Sequence, residues 1–281
     1  MRARAPASSA NLGPGFDVLA VALALYVEVE VVEADRLSVE SSGHGAHLPV
    51  DAGHLAVEVA SAVVGHDRLA IRVHSDIPLG RGLGSSAALA VATAAAAGGA
   101  DPLATGARVD GHPENAAASA VGGLVAAATV DGVPVVRRLP LDPALRFVVA
   151  VPAVELATRE ARQALPATVP FADATFNLGR LGLLVAGLAD HRLLGPAAFA
   201  DRLHQTARTA LFPASTAVLA AMVDAGALGA CWSGAGPTML GVATAAGAPA
   251  VAEAAAAALG ADAAEVAVLE ADHGGVTVSA G

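Results

Sequence analysis

An α+β protein of two domains is the fold class this sequence predicts, and three observations carry it. Strand-like and helical stretches are mixed in both halves, without the regular βαβα alternation of a doubly wound sheet. The pattern changes after Pro140, where a hairpin-like segment gives way to a strand and then a run of helices. The length of 281 residues, 55% of them hydrophobic, suits one large core or two packed ones. The division falls near residue 143 and gives domains 1–143 and 144–281.

The elements follow in order. Val and Glu alternate over residues 27–31, and a period of two predicts a strand with one wet face. "GHLAVEVASAVV" (53–64) reads as a helix. "RLAIRVHSDIP" (68–78) reads as a strand that leads into a glycine-rich stretch. Residues 85–98 have helical composition, with Ser85 or Ser86 in the first turn. "GGLVAAATVDGVPVVRRLP" (122–140) predicts a hairpin that turns at Asp131-Gly132. In the second half, "RFVVAVP" (146–152) is a short strand. Helices are predicted over 158–164, 172–189, 197–205 and 214–225. "GACWSGAGPTMLGVA" (229–243) follows, then an Ala-rich helix over 247–259 and short strands over 264–269 and 275–278. No repeat, linker or tail is visible, and the Ala-rich segments have the periodicity of packed helices.

Composition excludes several function classes. The formal net charge is −10, no basic patch is visible, and aromatics make up 3%, which argues against a nucleic-acid partner. All sixteen basic side chains are Arg. Schiff-base chemistry and any phosphate loop that depends on lysine are therefore excluded. The single cysteine, Cys231, permits no intrachain disulfide and fits a reducing compartment. The N-terminus has no apolar signal region, and the Ala-rich run 87–100 is shorter than a membrane span. A soluble cytoplasmic protein is expected.

Three stretches carry candidate chemistry. "IPLGRGLGSSAALA" (77–90) sets glycines at 80, 82 and 84 directly before a helix. Glycine lets the backbone approach a ligand closely, and a helix start presents unpaired N–H groups with a partial positive charge. Together they form an anion site, most often for phosphate. Pro78, Gly80, Arg81, Gly82, Leu83, Gly84, Ser85, Ser86 and Ala87 are its candidate residues. The spacing is that of neither a Walker A loop nor a dinucleotide fingerprint. The competing account is an ordinary turn, with Arg81 a solvated side chain. In "APASSANLGPGFDVLAVAL" (5–23), Asn11 and Asp17 flank a Gly-Pro-Gly turn. They could hold an amino or hydroxyl group, or serve as an Asx turn and helix cap. In "SGAGPT" (233–238), closely spaced glycines suggest close backbone approach, against a plain strand–turn–strand.

These three stretches, in this order and at these separations, resemble the three signatures of the GHMP kinases (galacto-, homoserine, mevalonate and phosphomevalonate kinases). Within that superfamily the segments "PASSANLGPGFD", "GHPENAAASAVGG" (111–123), "TREARQALP" (158–166) and "DRLHQTARTALFP" (201–213) are most similar to those of homoserine kinases. The resemblance covers roughly residues 5–245. It implies a ribosomal-S5-like N-terminal domain, a ferredoxin-like C-terminal domain, ATP, Mg²⁺ and a small amino-acid alcohol as substrate. A homodimer is compatible with it. Carried over, Gly82–Ser86 form the triphosphate loop, and Ser86 reaches Mg²⁺. Asn11 and Asp17 bind the substrate, with Asp17 at its ammonium. Arg162 and Arg208 hold its carboxylate, a task suited to guanidinium geometry. His112 and Asn115 line the same pocket.

Departures accompany the match. The superfamily's metal-binding carboxylate aligns with Ala104, which leaves Asp110 and Glu114 as the nearby acids and Asp110 as the candidate ligand. His54 stands where an asparagine near the adenine is usual, so the adenine contacts are unassigned. Asn115 aligns with the aspartate of mevalonate-type relatives and cannot act as a base. Direct in-line attack is therefore expected, with catalysis by positioning and charge through Asn115, His112 and Arg162. Only His112 has an ordinary pKa near neutral with which to take a proton. The alternatives are a mevalonate-type or sugar kinase, or a non-catalytic nucleotide-binding descendant.

Overall fold

The computed structural model describes residues 1–279. Its first sheet grows around one long strand. β1 (Arg2–Ala10) and β2 (Leu19–Glu33) pair antiparallel, and β3 (Ser38–Gly43) lies at the edge. After helix α1 (Leu55–Val64), β4 (Leu69–Ser75) joins β2 antiparallel and β3 in parallel. In the 15-residue β2, Val27, Val29 and Val31 are buried, while Glu28 and Glu30 face outward to Arg2 and Arg72. This is the wet face that the Val–Glu alternation predicts.

Three more helices follow: α2 (Ser85–Ala96), α3 (Pro102–Asp110) and α4 (Glu114–Val121). Nine of the twelve residues of α2 are buried, mostly alanines. A helix that is apolar all round is an interior helix. It packs on β1 and β2, with α1, α3 and α4 around it. The short alanine side chains let all these neighbours close in, which fixes where the N-terminus of α2 points. The expected hairpin is β5 (Leu124–Val130) and β6 (Val133–Leu139), with Asp131 and Gly132 both at positive φ as a mirror-image turn requires. The sequence reading gave no element over β1, β3, α3 or α4. β1 carries mostly small residues. α3 is defined more by its ends, an Asp101 cap on Ala104 and Gly111 at φ 82°, than by its pattern.

The second sheet contains β7 (Leu145–Pro152), β8 (Gly229–Trp232), β9 (Met239–Thr244) and β10 (Ala263–Leu269) in the order β10-β7-β9-β8. Between β7 and β8 lie α5 (Thr158–Gln163), α6 (Phe171–Ala189), α7 (Gln205–Arg208) and α8 (Ser215–Asp224); α9 (Ala248–Leu259) precedes β10. This is the βαββαβ pattern of a ferredoxin-like domain, as expected. The final strand β11 (Thr277–Ser279) returns to pair with β1, and Ala271 bridges to Leu23. The chain end thus crosses the 143/144 division. One apolar cluster runs from Leu23 and Val29 to Phe147 and Leu240.

The helix expected over 197–205 does not form. Pro196–Phe199 is a single 3₁₀ turn, and helix resumes only at Gln205. Asp201 is the cause. Its carboxylate accepts the N–H groups of Leu203, His204 and Gln205 at 3.0, 2.9 and 2.7 Å, and the Asn177 amide at 2.7 Å. An aspartate that binds the backbone ahead of it competes with a continuous helix.

Burial raises the Asp201 pKa, but His204 and these hydrogen bonds outweigh it and hold the carboxyl below its ordinary range. Its stabilisation is therefore present above the unfolded carboxylate pKa and is lost as pH falls through the folded one. Asp201→Ala is expected to cost about 2–4 kcal/mol by orphaning buried donors. Urea unfolding at neutral pH checks this, and the difference from wild type should shrink as the medium is acidified.

Candidate active site

The glycine-rich loop is shaped by how its carbonyls are held. The carbonyl of Leu79 accepts from Arg81, that of Gly80 from Leu156 N at 2.9 Å, that of Gly82 from Ser233 Oγ at 2.6 Å, and that of Leu83 from Ser8 N at 3.1 Å. With the oxygens turned into protein, the N–H groups turn the other way. Among the described residues, no N–H from Gly80 to Ala87 has a protein acceptor. Such a run of free amides is an anion cradle at the start of α2. Gly80, Gly82 and Gly84 have φ of 62°, 72° and 65°. A Cβ on Gly82 would overlap the Ser233 carbonyl, and one on Gly84 the Ser8 hydroxyl. The first and third sequence motifs therefore grip the second. Leu83 and Ala87 are buried, so only their backbone faces the cradle. Arg81 departs from the expected phosphate contact. Its guanidinium binds the carbonyls of Pro152, Ala153 and Leu79 and lies 3.4 Å from Glu155, tying the loop to the end of β7.

Beside the cradle runs a chain of oxygens. Ser86 Oγ donates to Asp110 Oδ1 at 2.7 Å, Asn115 Nδ2 donates to Asp110 Oδ2 at 3.2 Å, and Ser8 Oγ donates to Asn115 Oδ1 at 2.9 Å. The acid that meets Ser86 is Asp110. Ala104 lies in the first turn of α3, whereas the last residue of that helix meets the start of α2. Glu114 is 1% exposed, and its Oε2 has no hydrogen-bond partner. Its Oε1 lies 2.8 Å from His112 Nδ1, and Asp110 Oδ2 lies 3.5 Å from the same nitrogen. Burial lowers the His112 pKa, but Glu114, Asp110 and Asp17 together raise it above its ordinary value.

Across the cavity, Asn11 and Asp17 sit at φ 71° and 54°. Asn11 Oδ1 accepts Asp17 N at 3.0 Å, and its Nδ2 donates to Gly234 O at 2.8 Å. Its amide therefore closes the turn, as the Asx account predicts, although a strand follows rather than a helix. The Asp17 carboxylate takes both terminal nitrogens of Arg162, at 3.0 and 2.8 Å. That hydrogen bond raises the Arg162 pKa. Arg208 is 2% exposed; its Nη1 donates to His204 Nδ1 at 3.0 Å and to Gly234 O at 2.9 Å. Burial, then the Arg162 charge, pulls it down to about 10, so it stays cationic at neutral pH.

Two positioning groups escaped the sequence reading. The Phe16 ring lies 5.6 and 5.5 Å from the guanidinium carbons of Arg162 and Arg208 and stacks on His204. His204 Nε2 donates to Gly13 O at 2.7 Å, which leaves Nδ1 to accept from Arg208. Both lie inside the quoted motifs, but only as residues with no evident chemistry of their own.

Asn11, Asp17, Arg162 and Arg208 face one cavity of about 220 Å³ together with the 80–86 loop, Asp110, His112, Glu114 and Asn115. Pro78 and Arg81 also line it. A second, mostly apolar pocket of about 390 Å³ adjoins it through Ser85 and Ser86, with walls from Leu48, Pro49, His54, Leu79 and Leu89. His54 caps α1: its Nδ1 accepts from Ala56 N at 3.2 Å, so the ring proton sits on Nε2.

Residues 54–123 match the family model described as GHMP kinases N terminal domain, and residues 183–261 match GHMP kinases C terminal. A homoserine kinase of Moorella thermoacetica is 42% identical over 254 residues, which is 84% of this chain and 85% of that one. A homoserine kinase of Rhodococcus opacus is 41% identical over 273 residues, 86% and 87% of the two chains. A solved homoserine kinase from Cytophaga hutchinsonii has a TM-score of 0.87 at 30% identity, covering 99% of this chain and 96% of its own. Similarity of this degree over most of the length establishes that the chain belongs to the homoserine kinase family of the GHMP kinases.

Proposed function

We propose that this protein transfers the γ-phosphoryl group of ATP to the side-chain hydroxyl of L-homoserine, a step of threonine synthesis carried out in the cytoplasm. The observation that carries this reading is the shared cavity. A cradle of free amides on one wall faces two arginines and an aspartate on the other. The amides suit the triphosphate. Arg162 and Arg208 suit the α-carboxylate, and Asp17 the ammonium. A neutral sugar would bring no carboxylate to the two guanidiniums. The orphan oxygen of Glu114 gives a cation a further acceptor. The adenine takes the apolar pocket, where His54 offers Nε2–H.

The acceptor hydroxyl attacks Pγ in line. The new O–Pγ bond forms as the bond to the β-phosphate oxygen breaks, and ADP leaves. Asn115 has both ends of its amide engaged and is no base. The three acids around His112 raise its pKa and favour the cationic form, which has no site for a further proton. The hydroxyl proton therefore passes to the transferred phosphoryl group or to water. Positioning alone is worth roughly 7–11 kcal/mol in well-oriented reactions. Ser86 and Asp110 form the hard-oxygen pair that Mg²⁺ prefers, and they are the residues that would hold it. A Mg²⁺ held there would neutralise charge on the phosphate oxygens. On this reading Asp110 takes the place of an acid at 104, which weighs against a non-catalytic descendant.

Three outcomes are expected. ADP release coupled to L-homoserine should exceed that with mevalonate or galactose by at least about 100-fold, the scale at which a lost set of charged contacts discriminates. Turnover of either competitor at a comparable kcat/KM would refute the substrate assignment. Arg162→Ala should raise the KM for homoserine by roughly 10–100-fold, as loss of a charge-assisted contact does, with the KM for ATP within about twofold. Asp110→Asn should raise the Mg²⁺ concentration for half-maximal rate by about tenfold, and should reduce the thermal stabilisation given by Mg²⁺-ATP relative to ATP alone.

A further inference from the structure

Arg81 lines the cavity but directs its guanidinium at main chain. Nε donates to Pro152 O at 2.9 Å, Nη1 to Leu79 O at 3.0 Å and Nη2 to Ala153 O at 2.7 Å, with Glu155 Oε1 3.4 Å from Nη1. Its side chain is 15% exposed. Turning it onto a phosphate would take the donor from three carbonyls at once. What it holds is the connection between β7 and α5. Asp262 O takes the N–H of Ala153 at 2.8 Å. Among the described residues, every other hydrogen bond of 153–156 goes to the glycine-rich loop: Leu156 N to Gly80 O at 2.9 Å, and Ala153 O and Glu155 Oε1 to Arg81. A Cβ at Gly80 would lie 3.6 Å from Glu155 Cβ, so the two segments run in contact.

The connection has little else to fix it. Ala153, Val154, Glu155 and Ala157 are exposed, and Leu156 is its one buried side chain. Helix α5 follows at Thr158 and carries Arg162, which faces the cavity across from the loop. The loop that starts α2 and the helix that carries Arg162 are therefore tied through one side chain and one backbone hydrogen bond.

We propose that Arg81 is a positioning residue that makes the nucleotide half-site and the amino-acid half-site interdependent. A ligand at either one fixes the loop and the connection as a unit, and the second ligand meets a wall already ordered. This rests on the reading given above, with ATP at the loop and L-homoserine at Arg162 and Arg208. The basis is entropic: ordering exposed backbone is unfavourable, and what the first ligand has ordered the second need not order again. Linkage makes the effect reciprocal, so the factor that homoserine gives to nucleotide affinity is the factor that nucleotide gives to homoserine affinity. Arginine is the residue type this requires. Its planar fork reaches Leu79 O on the loop and Pro152 O and Ala153 O on the connection, whereas a lysine ammonium is a point charge without that geometry.

Titration calorimetry of the full chain tests it. The probe is the Mg²⁺ complex of a non-hydrolysable ATP analogue, titrated with and without saturating L-homoserine. In wild type the analogue should bind at least about fivefold tighter when homoserine is present, the lower end of ordinary couplings between sites. In Arg81→Lys and Arg81→Met alike, that factor should fall to within about twofold of one. Homoserine alone should still bind both variants, because Arg162 and Arg208 are untouched. A merely loosened loop would weaken nucleotide binding equally with and without homoserine and leave the factor unchanged. A wild-type factor of one overturns the proposal without any variant. A factor that persists in both variants overturns it too, by placing the coupling in direct contact between the ligands. Recovery in Arg81→Lys alone does the same, by assigning the coupling to charge. A variant that no longer folds or binds homoserine would make Arg81 a general support of the fold and would also overturn it. Failure of homoserine to bind wild type is a different result: it refutes the substrate reading, and this proposal with it.

Discussion

The structure turns on a division of labour within one loop. Ser233 Oγ, Ser8 N and Leu156 N hold the carbonyls of Gly82, Leu83 and Gly80, and that alone faces the amides of the same peptide units toward the cavity. A peptide plane cannot offer both ends to one side. The groups that hold the carbonyls come from β1, from the turn between β8 and β9, and from the segment after β7. The cradle therefore exists only when both sheets are assembled. Glycine at 82 and 84 is demanded as much by this close packing as by any ligand. Interior helix α2 completes the arrangement by fixing the direction in which the cradle opens.

Electrostatics divides the cavity in a similar way. The cradle supplies partial positive charge without a lysine, consistent with a chain in which every basic residue is arginine. Asp110, Glu114 and His112 form an acidic flank next to it. Asp17, Arg162 and Arg208 form a zwitterionic flank opposite. The Arg208 cation stays buried because His204, Gly234 O and Ala161 O surround it, and His204 is held in turn by Asp201 and Gly13. On the reading proposed above, the carboxylate and ammonium of the substrate face the zwitterionic flank and its hydroxyl faces the cradle.

Much of this is legible in the sequence, and the misses share a cause. Strong local signals survive folding: the Val–Glu alternation of β2, the Asp131-Gly132 turn and the glycine spacing of the loop all act within a few residues. The long-range partners are not visible. Asn11 has the residue type of a substrate ligand, but Gly234, more than two hundred positions away, takes its amide. Arg81 has the residue type of a phosphate ligand, but the carbonyls at the end of β7 claim its guanidinium. Counting back from Asn115 finds Ala104, because sequence spacing does not show which end of α3 meets Ser86. His54 and Phe16 were legible as residues but not as neighbours of a pocket or of two arginines. Asp201 breaks a helix that composition favours, because its carboxylate has backbone donors within four residues.

A structure of the protein with L-homoserine, Mg²⁺ and a non-hydrolysable ATP analogue tests the central claim most directly. The account predicts phosphate oxygens on the main-chain amides of residues 82–86, the amino-acid carboxylate on Arg162 and Arg208, and the side-chain hydroxyl aimed at the terminal phosphorus. A triphosphate bound away from those amides, or a carboxylate that leaves both guanidiniums untouched, would contradict it.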